Sequence, residues 1–173
     1  EYRIMLFEIK DIDRKCYEQE FKNRLPAKMI DCHTHVWTHS RKDEGEKTDQ
    51  RLVTWPARVV AVNPIEDLQE TYRLMFPDMQ VTPLIFSGVT PIDMIEELNA
   101  CSLDAAQKAN VPSLLYVHPS WSPELLAERL ISDKRQGIKV YLNNAPSYLP
   151  GDEVRIYDFL PPAHLEVVDR LGL

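Results

Sequence analysis

The run Met29-Ile30-Asp31-Cys32-His33-Thr34-His35-Val36-Trp37 restricts this chain more than any other segment. Its polar members recur at every second position inside an apolar frame. That is the period of a β-strand, in which successive side chains leave on opposite faces. Plain alternation predicts that Asp31, His33 and His35 share one face while Ile30, Cys32, Thr34 and Val36 pack on the other. It also sets the two imidazoles two residues apart, about 6.5 to 7 Å between Cα atoms, near enough for both rings to converge on one ion. Neutral imidazole is the commonest protein ligand for zinc and suits iron, nickel and cobalt as well. His33 and His35 are therefore the candidate metal ligands.

Helix-start and helix-stop signals then recur along the chain. Residues Asp11 to Arg24, with Ile12, Tyr17 and Phe21 at loosely helical spacing, predict an amphipathic helix, so residues 1–28 read as a helical extension ahead of the first strand. Thr38 to Gln50 is polar with Gly45 at its centre and predicts an exposed loop, which begins near His39. The stretch Arg58 to Val62 is ambiguous between strand and helix. Asn63-Pro64-Ile65-Glu66 predicts a capped helix running to about Phe76, and Val81 to Phe86 a strand. Thr90-Pro91-Ile92-Asp93 opens the next helix, with Ile95, Leu98, Ala105 and Ala109 as its buried face. Ser113 to Val117 is the third strand. Ser122-Pro123-Glu124 caps a helix carrying Leu125, Leu126 and Leu130, which Gly137 ends before a strand at Ile138 to Leu142. Pro161-Pro162 opens a last helix through Leu165, Val168 and Leu171, with Gly172 at its C-cap and His164 exposed in its first turn. Strand and helix alternate throughout, which predicts an α/β fold with a parallel sheet and right-handed crossovers. About four βα units are visible, and a closed (β/α)₈ barrel needs eight.

Composition removes several function classes. The 173 residues carry 20 Lys and Arg against 27 Asp and Glu, a formal charge of −7, so no basic surface for nucleic acid or an anionic membrane is expected. No run approaches the ~18 apolar residues of a membrane span, and Ile4-Met5-Leu6-Phe7 is too short for a signal peptide. A cytoplasmic location follows as the default expectation. Cys16, Cys32 and Cys101 are odd in number and widely spaced, which suits neither a disulfide framework nor a thiolate zinc site.

The segment Ile30-Asp31-Cys32-His33-Thr34-His35 resembles the first-strand signature of the amidohydrolase superfamily, in particular its amidohydrolase-related branch of hydrolases and metal-dependent decarboxylases. Val81 to Phe86, Tyr116-Val117-His118-Pro119 with Trp121, Gly137 to Leu142 and Asp158-Phe159-Leu160-Pro161 extend the similarity over most of the chain. The resemblance implies that residues 29–173 are the N-terminal half of a metal-dependent TIM-barrel hydrolase. It also implies that a third His and an Asp ligand, on the fifth and eighth strands, lie past residue 173. The fragment by itself is then expected to be inactive, and to meet a second copy or the missing half along its open strand edges.

In a barrel of this type the active site lies at the C-terminal ends of the strands. His118, at the end of the third strand with Tyr116, is a candidate to hydrogen-bond substrate. Lys139 interrupts the apolar set Ile138, Val140 and Leu142 and shares a face with Tyr141. A buried ammonium there demands a partner. In related amidohydrolases a fourth-strand Lys can be carbamylated to bridge two metals, but a substrate-facing cation is the preferred reading of Lys139. The expected cofactor is a divalent metal, zinc first. The expected chemistry is attack of metal-activated water on an amide, ester or lactone of a small-molecule substrate. Three other readings compete with it: a decarboxylase of the same branch, a non-catalytic half-barrel with an incomplete metal site, and a phosphoesterase of the polymerase and histidinol phosphatase type. The last suits Val36-Trp37 poorly, because small polar residues usually follow His-x-His there.

Overall fold

The computed structural model describes residues 7–38, 60, 62–88 and 92–173. His39, Trp55-Pro56, Thr90, Pro91 and most of the expected loop from Thr38 to Gln50 lie outside the described residues, as does all of the 58–62 stretch but Val60 and Val62. Strand β1 (Lys28–His35) pairs in parallel with β2 (Gln80–Phe86), from Lys28 opposite Gln80 to His35 opposite Phe86. A second parallel pair joins β3 (Leu115–Tyr116) to β4 (Ile138–Lys139). Between the pairs runs one parallel bridge, Ile85 to Ser113, closed by Ile85 N–H on the Pro112 carbonyl at 3.1 Å and Leu114 N–H on the Ile85 carbonyl at 3.0 Å. The architecture is α/β, with small parallel sheets and helices between successive strands.

The single four-stranded sheet expected from the sequence is thus split at its centre, and the cause is a side chain. Leu115 and Val117 send their N–H groups to the carbonyls of Gly137, just before β4, and Lys139 on β4, so the N–H and C=O of Tyr116 point the other way, toward β2. Asn99 takes both: its Oδ1 accepts from the Tyr116 N–H and its Nδ2 donates to the Tyr116 carbonyl, each at 2.9 Å. A helix amide stands in for a strand, and β2 and β3 diverge around it. Below it Arg135, 2% exposed, donates from Nη2 to the Asn99 carbonyl at 2.6 Å and from Nη1 to Ser102 Oγ, Ser113 Oγ and the Leu114 carbonyl. Burial lowers the pKa of that guanidinium, and Asp133 opposes the shift.

Asn99 and Ser102 belong to helix α3 (Ile95–Ala109), after α1 (Asp11–Cys16) and α2 (Ile65–Met75). The buried stripe of α3 is Ile95, Asn99, Ser102 and Ala106; Leu98, Ala105 and Ala109, expected to be buried, are only partly so. Helix α4 (Pro123–Ser132) starts as expected, with Ser122 Oγ accepting the Leu125 N–H at 3.2 Å. It ends at Ser132 and not at Gly137, because Lys134 adopts the left-handed conformation that turns the chain. A short α5 (Ile156–Phe159) precedes α6 (Pro162–Leu171), which Gly172 closes with φ 68°. Asn63 does not cap α2: its backbone pairs with Trp37 and its Nδ2 donates to the His35 carbonyl.

Two apolar clusters fill the space between strands and helices: Val36, Ile65, Leu68, Ile85 and Ala106 in one, Leu115, Val117, Leu126, Leu130 and Val167 in the other. Against expectation His164 is buried, its Nε2 at 2.8 Å from the Trp121 carbonyl, and Leu165 is exposed. The buried stripe of α6 is turned by one residue, because His164 can meet a carbonyl at the end of the β3 segment and Leu165 cannot. At the N-terminal end α1 continues as a π-helical turn over Tyr17–Phe21, where only Tyr17 is buried and Ile12 and Phe21 face solvent. No helix among the described residues is long and apolar enough to cross a membrane.

Candidate metal centre

β1 does not alternate plainly. Asp31 lies opposite Pro83 and Thr34 opposite Ile85, so β1 takes three steps where β2 takes two. Proline has no N–H to give the ladder, and a strand opposite proline is free to bulge. The slip is held by Asp31 itself: its Oδ1 accepts the His33 N–H at 3.1 Å and its Oδ2 accepts the Tyr72 hydroxyl at 2.9 Å. Tyr72 rides on α2 against the first apolar cluster, so Asp31 faces the helices. Burial, then Asp31, raises the pKa of that phenol. Asp31 therefore stands on the face opposite His33 and His35, which corrects the expectation that all three project together. The same extra residue explains why Ile30 and Cys32 are exposed where packing was expected, while Thr34 and Val36 are buried as expected. A bulge reverses the parity of whatever precedes it.

Beyond the bulge His33 and His35 do share a face. Their ring centroids are 5.3 Å apart and tilted by 44°. Both rings meet Phe86 edge-on, at 5.4 and 4.6 Å, and His35 lies 6.4 Å from Tyr141. Tyr141 stacks edge-on against Tyr116 at 4.8 Å and donates its hydroxyl to the Ser87 carbonyl, while the Tyr116 hydroxyl donates to Asn144 Oδ1. Lys139 enters the same face, Nζ 4.3 Å from the Phe86 centroid and 5.2 Å from that of Tyr141. Histidines from β1, an aromatic from β2, a tyrosine from β3 and a lysine from β4 thus meet on one side of the strands.

Electrostatics suit a metal ligand. Burial first, then the charges of Lys139 and His33, lowers the His35 pKa from 6.5 to about 4, against a hydrogen bond to the Ser87 backbone. His35 is neutral at pH 7. A neutral imidazole keeps one ring nitrogen with a free lone pair, which is what a metal ion takes. Burial also lowers the pKa of Lys139. Among the described residues no group of three or more His, Cys, Asp and Glu is placed to hold one ion, so no carboxylate or third such side chain stands beside the His33–His35 pair.

His118 is half-buried just past β3, and burial lowers its pKa. Its Nδ1 lies 2.8 Å from Ser120 Oγ and accepts the Ser120 N–H at 3.2 Å, so Nε2 is the nitrogen left for other work. Phe86, Tyr116 and Asn144 complete the wall of the site, of which only Tyr116 was expected there by name, beside His118. Phe86 ends the strand expected at Val81 to Phe86, and Tyr116 is read with His118 at the end of the third strand. Asn144 belongs to the Asn143 to Phe159 stretch, whose length and content of Asn, Pro and Tyr predict a pocket wall, but nothing local singles out this residue within it. A separate cavity of about 250 Å³, lined among others by Val36, Trp37, Ile65, Cys101 and Lys108, opens on the helical side of β1 and touches neither histidine.

No protein-family model matches this chain, and neither a curated protein nor a solved structure matches it.

Proposed function

We propose that the chain is part of a metal-dependent hydrolase of amidohydrolase type in which His33 and His35 hold a divalent ion, zinc first among the candidates. The observation that carries this reading is the pair itself: two imidazoles on one strand face with centroids 5.3 Å apart, one of them neutral well below pH 7. When bound, zinc would supply a water whose pKa falls toward ~7 and a Lewis acid for a carbonyl. The residues of the chain do the rest. His33 and His35 fix the position of the ion, and the bulge at Asp31 aims them. Phe86, Tyr116 and Tyr141 form the dry wall against which an amide, ester or lactone would lie, with Lys139 at its side and His118 Nε2 within the same end of the strands.

The half-barrel part of the proposal rests on the strand faces. Ile30 is 71% exposed on the side opposite the helices, the state of a barrel-lining residue whose facing strands are elsewhere. A second reading, a non-catalytic module with an incomplete metal shell, is favoured by the finding that no third ligand stands beside the two histidines among the described residues. Elemental analysis separates the two. Purified protein dialysed against zinc should hold one ion per chain, lost in the His33→Ala, His35→Ala double variant. Stoichiometric zinc in that variant would defeat the assignment, and a wild-type chain that takes up none would favour the module.

A further inference from the structure

We infer that the cavity on the helical side of β1 is a second ligand site, one that takes a small organic cation with an apolar body, and that its occupancy is coupled to the histidine pair. Only the coupling rests on the metal-site reading above. The site itself stands on residues of the opposite face.

The cavity lies where the end of β1, the start of α2 and the middle of α3 meet. The uncharged side chains that α3 brings to it, Cys101 and Ala105, are small, so the space between the elements is left unfilled. Val36 and Ile65, 6% and 4% exposed, belong to the core and give it an apolar lining. Its volume of about 250 Å³ exceeds the roughly 150 Å³ that holds benzene, so one substituted ring fits. Such a space gains free energy from an apolar guest.

The mouth selects the charge of that guest. Glu66, Asp104 and Lys108 are the charged residues of the lining, and all three are exposed. Asp104 holds Lys108 at 2.6 Å, and Glu66 adds a weaker attraction to the same ammonium, so two carboxylates share one cation. The positive end of α2 is met by Asp67 in the same turn. One negative charge is thus left over, beside an apolar space that also has the indole of Trp37 in its lining, the aromatic side chain that holds a cation best. An ammonium carried on a ring suits this combination, and an anion does not.

The link to the metal face is one residue long. Val36 lines the cavity, and His35 beside it stands on the other face. Asn63, just before the lining residues Pro64 and Ile65, exchanges backbone hydrogen bonds with Trp37 at 2.8 and 3.0 Å and donates Nδ2 to the His35 carbonyl at 2.9 Å. A guest that presses on Val36 and Ile65 therefore acts on the segment that positions the His35 imidazole. Binding at either site then alters the affinity of the other by the same factor.

The test titrates the chain, with and without zinc, with benzyltrimethylammonium, which has no lone pair to give a metal, and with neutral benzyl alcohol. Amide NMR shifts locate the binding, and zinc content is measured on each sample. The amides of Val36, Trp37, Ile65 and Ala105 should saturate together, with the cation bound more tightly than the alcohol. Its affinity should fall about threefold in Glu66→Gln, rise about threefold in Lys108→Gln, and vanish in Ala105→Phe, which fills the space. Absence of saturable binding, shifts centred elsewhere, or affinity indifferent to both charge variants overturns the site. Those two variants leave the packing alone, so they decide even if Ala105→Phe fails to fold. Zinc should change the affinity for the cation at least threefold, and Asn63→Ala should abolish the difference. Equal affinity with zinc bound overturns the coupling. A chain that binds the cation as stated but takes up no zinc overturns the metal reading and leaves the cavity site standing.

Discussion

Replacing Asn99 tests whether a helix side chain truly substitutes for a missing strand. Its two hydrogen bonds to Tyr116, both 2.9 Å, satisfy the N–H and C=O of a residue that is 0% exposed. In Asn99→Leu the space stays filled while both backbone groups lose their partners. An unsatisfied buried group costs about 1–3 kcal/mol, so the pair sums to about 4 kcal/mol, reduced to about 3 by the relaxation of so short a strand. That is a large share of the 5–15 kcal/mol total of an ordinary domain. Asn99→Ala should lose about 1 kcal/mol more, for the cavity. Equilibrium unfolding in urea gives the total, and amide hydrogen exchange gives the location: the Tyr116 amide should exchange about a hundredfold faster in Asn99→Leu. A loss under 1 kcal/mol with Tyr116 still protected would show that β3 is held by its contacts with β4 and that the Asn99 bonds are incidental.

Arg135→Met should cost about 2–4 kcal/mol, because the carbonyls of Asn99 and Leu114 and the hydroxyls of Ser102 and Ser113 all lose a donor at once. Combined with Asn99→Leu it should cost less than the sum, since both act on one network, and strict additivity in a double-mutant cycle would refute the coupling. In the metal-free protein, His35 should stay neutral down to about pH 4 by NMR titration of its ring protons. The folded state then binds this proton less readily than the unfolded chain, so the contribution is complete above about pH 6.5 and is lost as pH falls toward 4, by up to about 2 kcal/mol after allowance for partial exposure. A midpoint of unfolding flat between those values would contradict it.

What could be read from the sequence followed periodicity and capping. The alternation of strand and helix, the Ser122 cap, the Gly172 stop and the His33–His35 pair are all local patterns, and local patterns survive folding when nothing distant opposes them. The face of Asp31 was decided by Pro83 on another strand, fifty-two residues away, and no reading of β1 by itself contains that. Pro83 was nevertheless visible inside an otherwise regular strand, and a proline there is the ordinary sign of a bulge. Asn99 and Ser102 were visible too, as polar residues on the stripe of Ile95 and Ala106. A polar residue on a buried stripe announces an unpaired backbone group nearby, without saying whose. Tyr116 could be identified only once β3 and α3 were side by side. The shortness of β3 and β4 follows from the same contact, since strand propensity predicts where a ladder can form and not where a side chain will take its place.

The bulge yields the most exacting prediction, because one residue is in excess and its removal has a definite outcome. With Asp31 fixed opposite Pro83 and Thr34 opposite Ile85, one residue of Cys32 and His33 has no partner on β2. Deleting Cys32 leaves Asp31, His33 and Thr34 opposite Pro83, Leu84 and Ile85 in plain alternation, so Asp31 still faces Tyr72 and both histidines still face Lys139. Deleting Thr34 instead brings His33 opposite Ile85, on the helical side, and parts it from His35. Cys32 is exposed, so nothing packed is lost with it. The Cys32 deletion should therefore keep the wild-type zinc content with at most about 1–2 kcal/mol lost, chiefly from the Asp31 to His33 N–H bond, and the Thr34 deletion should lose the metal. If β1 alternated without a bulge, deleting Cys32 would throw Asp31 onto the face opposite the histidines, which would stay paired with each other, and the phenol of Tyr72, parted from Asp31, would titrate at its ordinary pH. The Tyr72 absorbance titration on the Cys32 deletion decides between these registers, and zinc content on the Thr34 deletion tests the histidine pair.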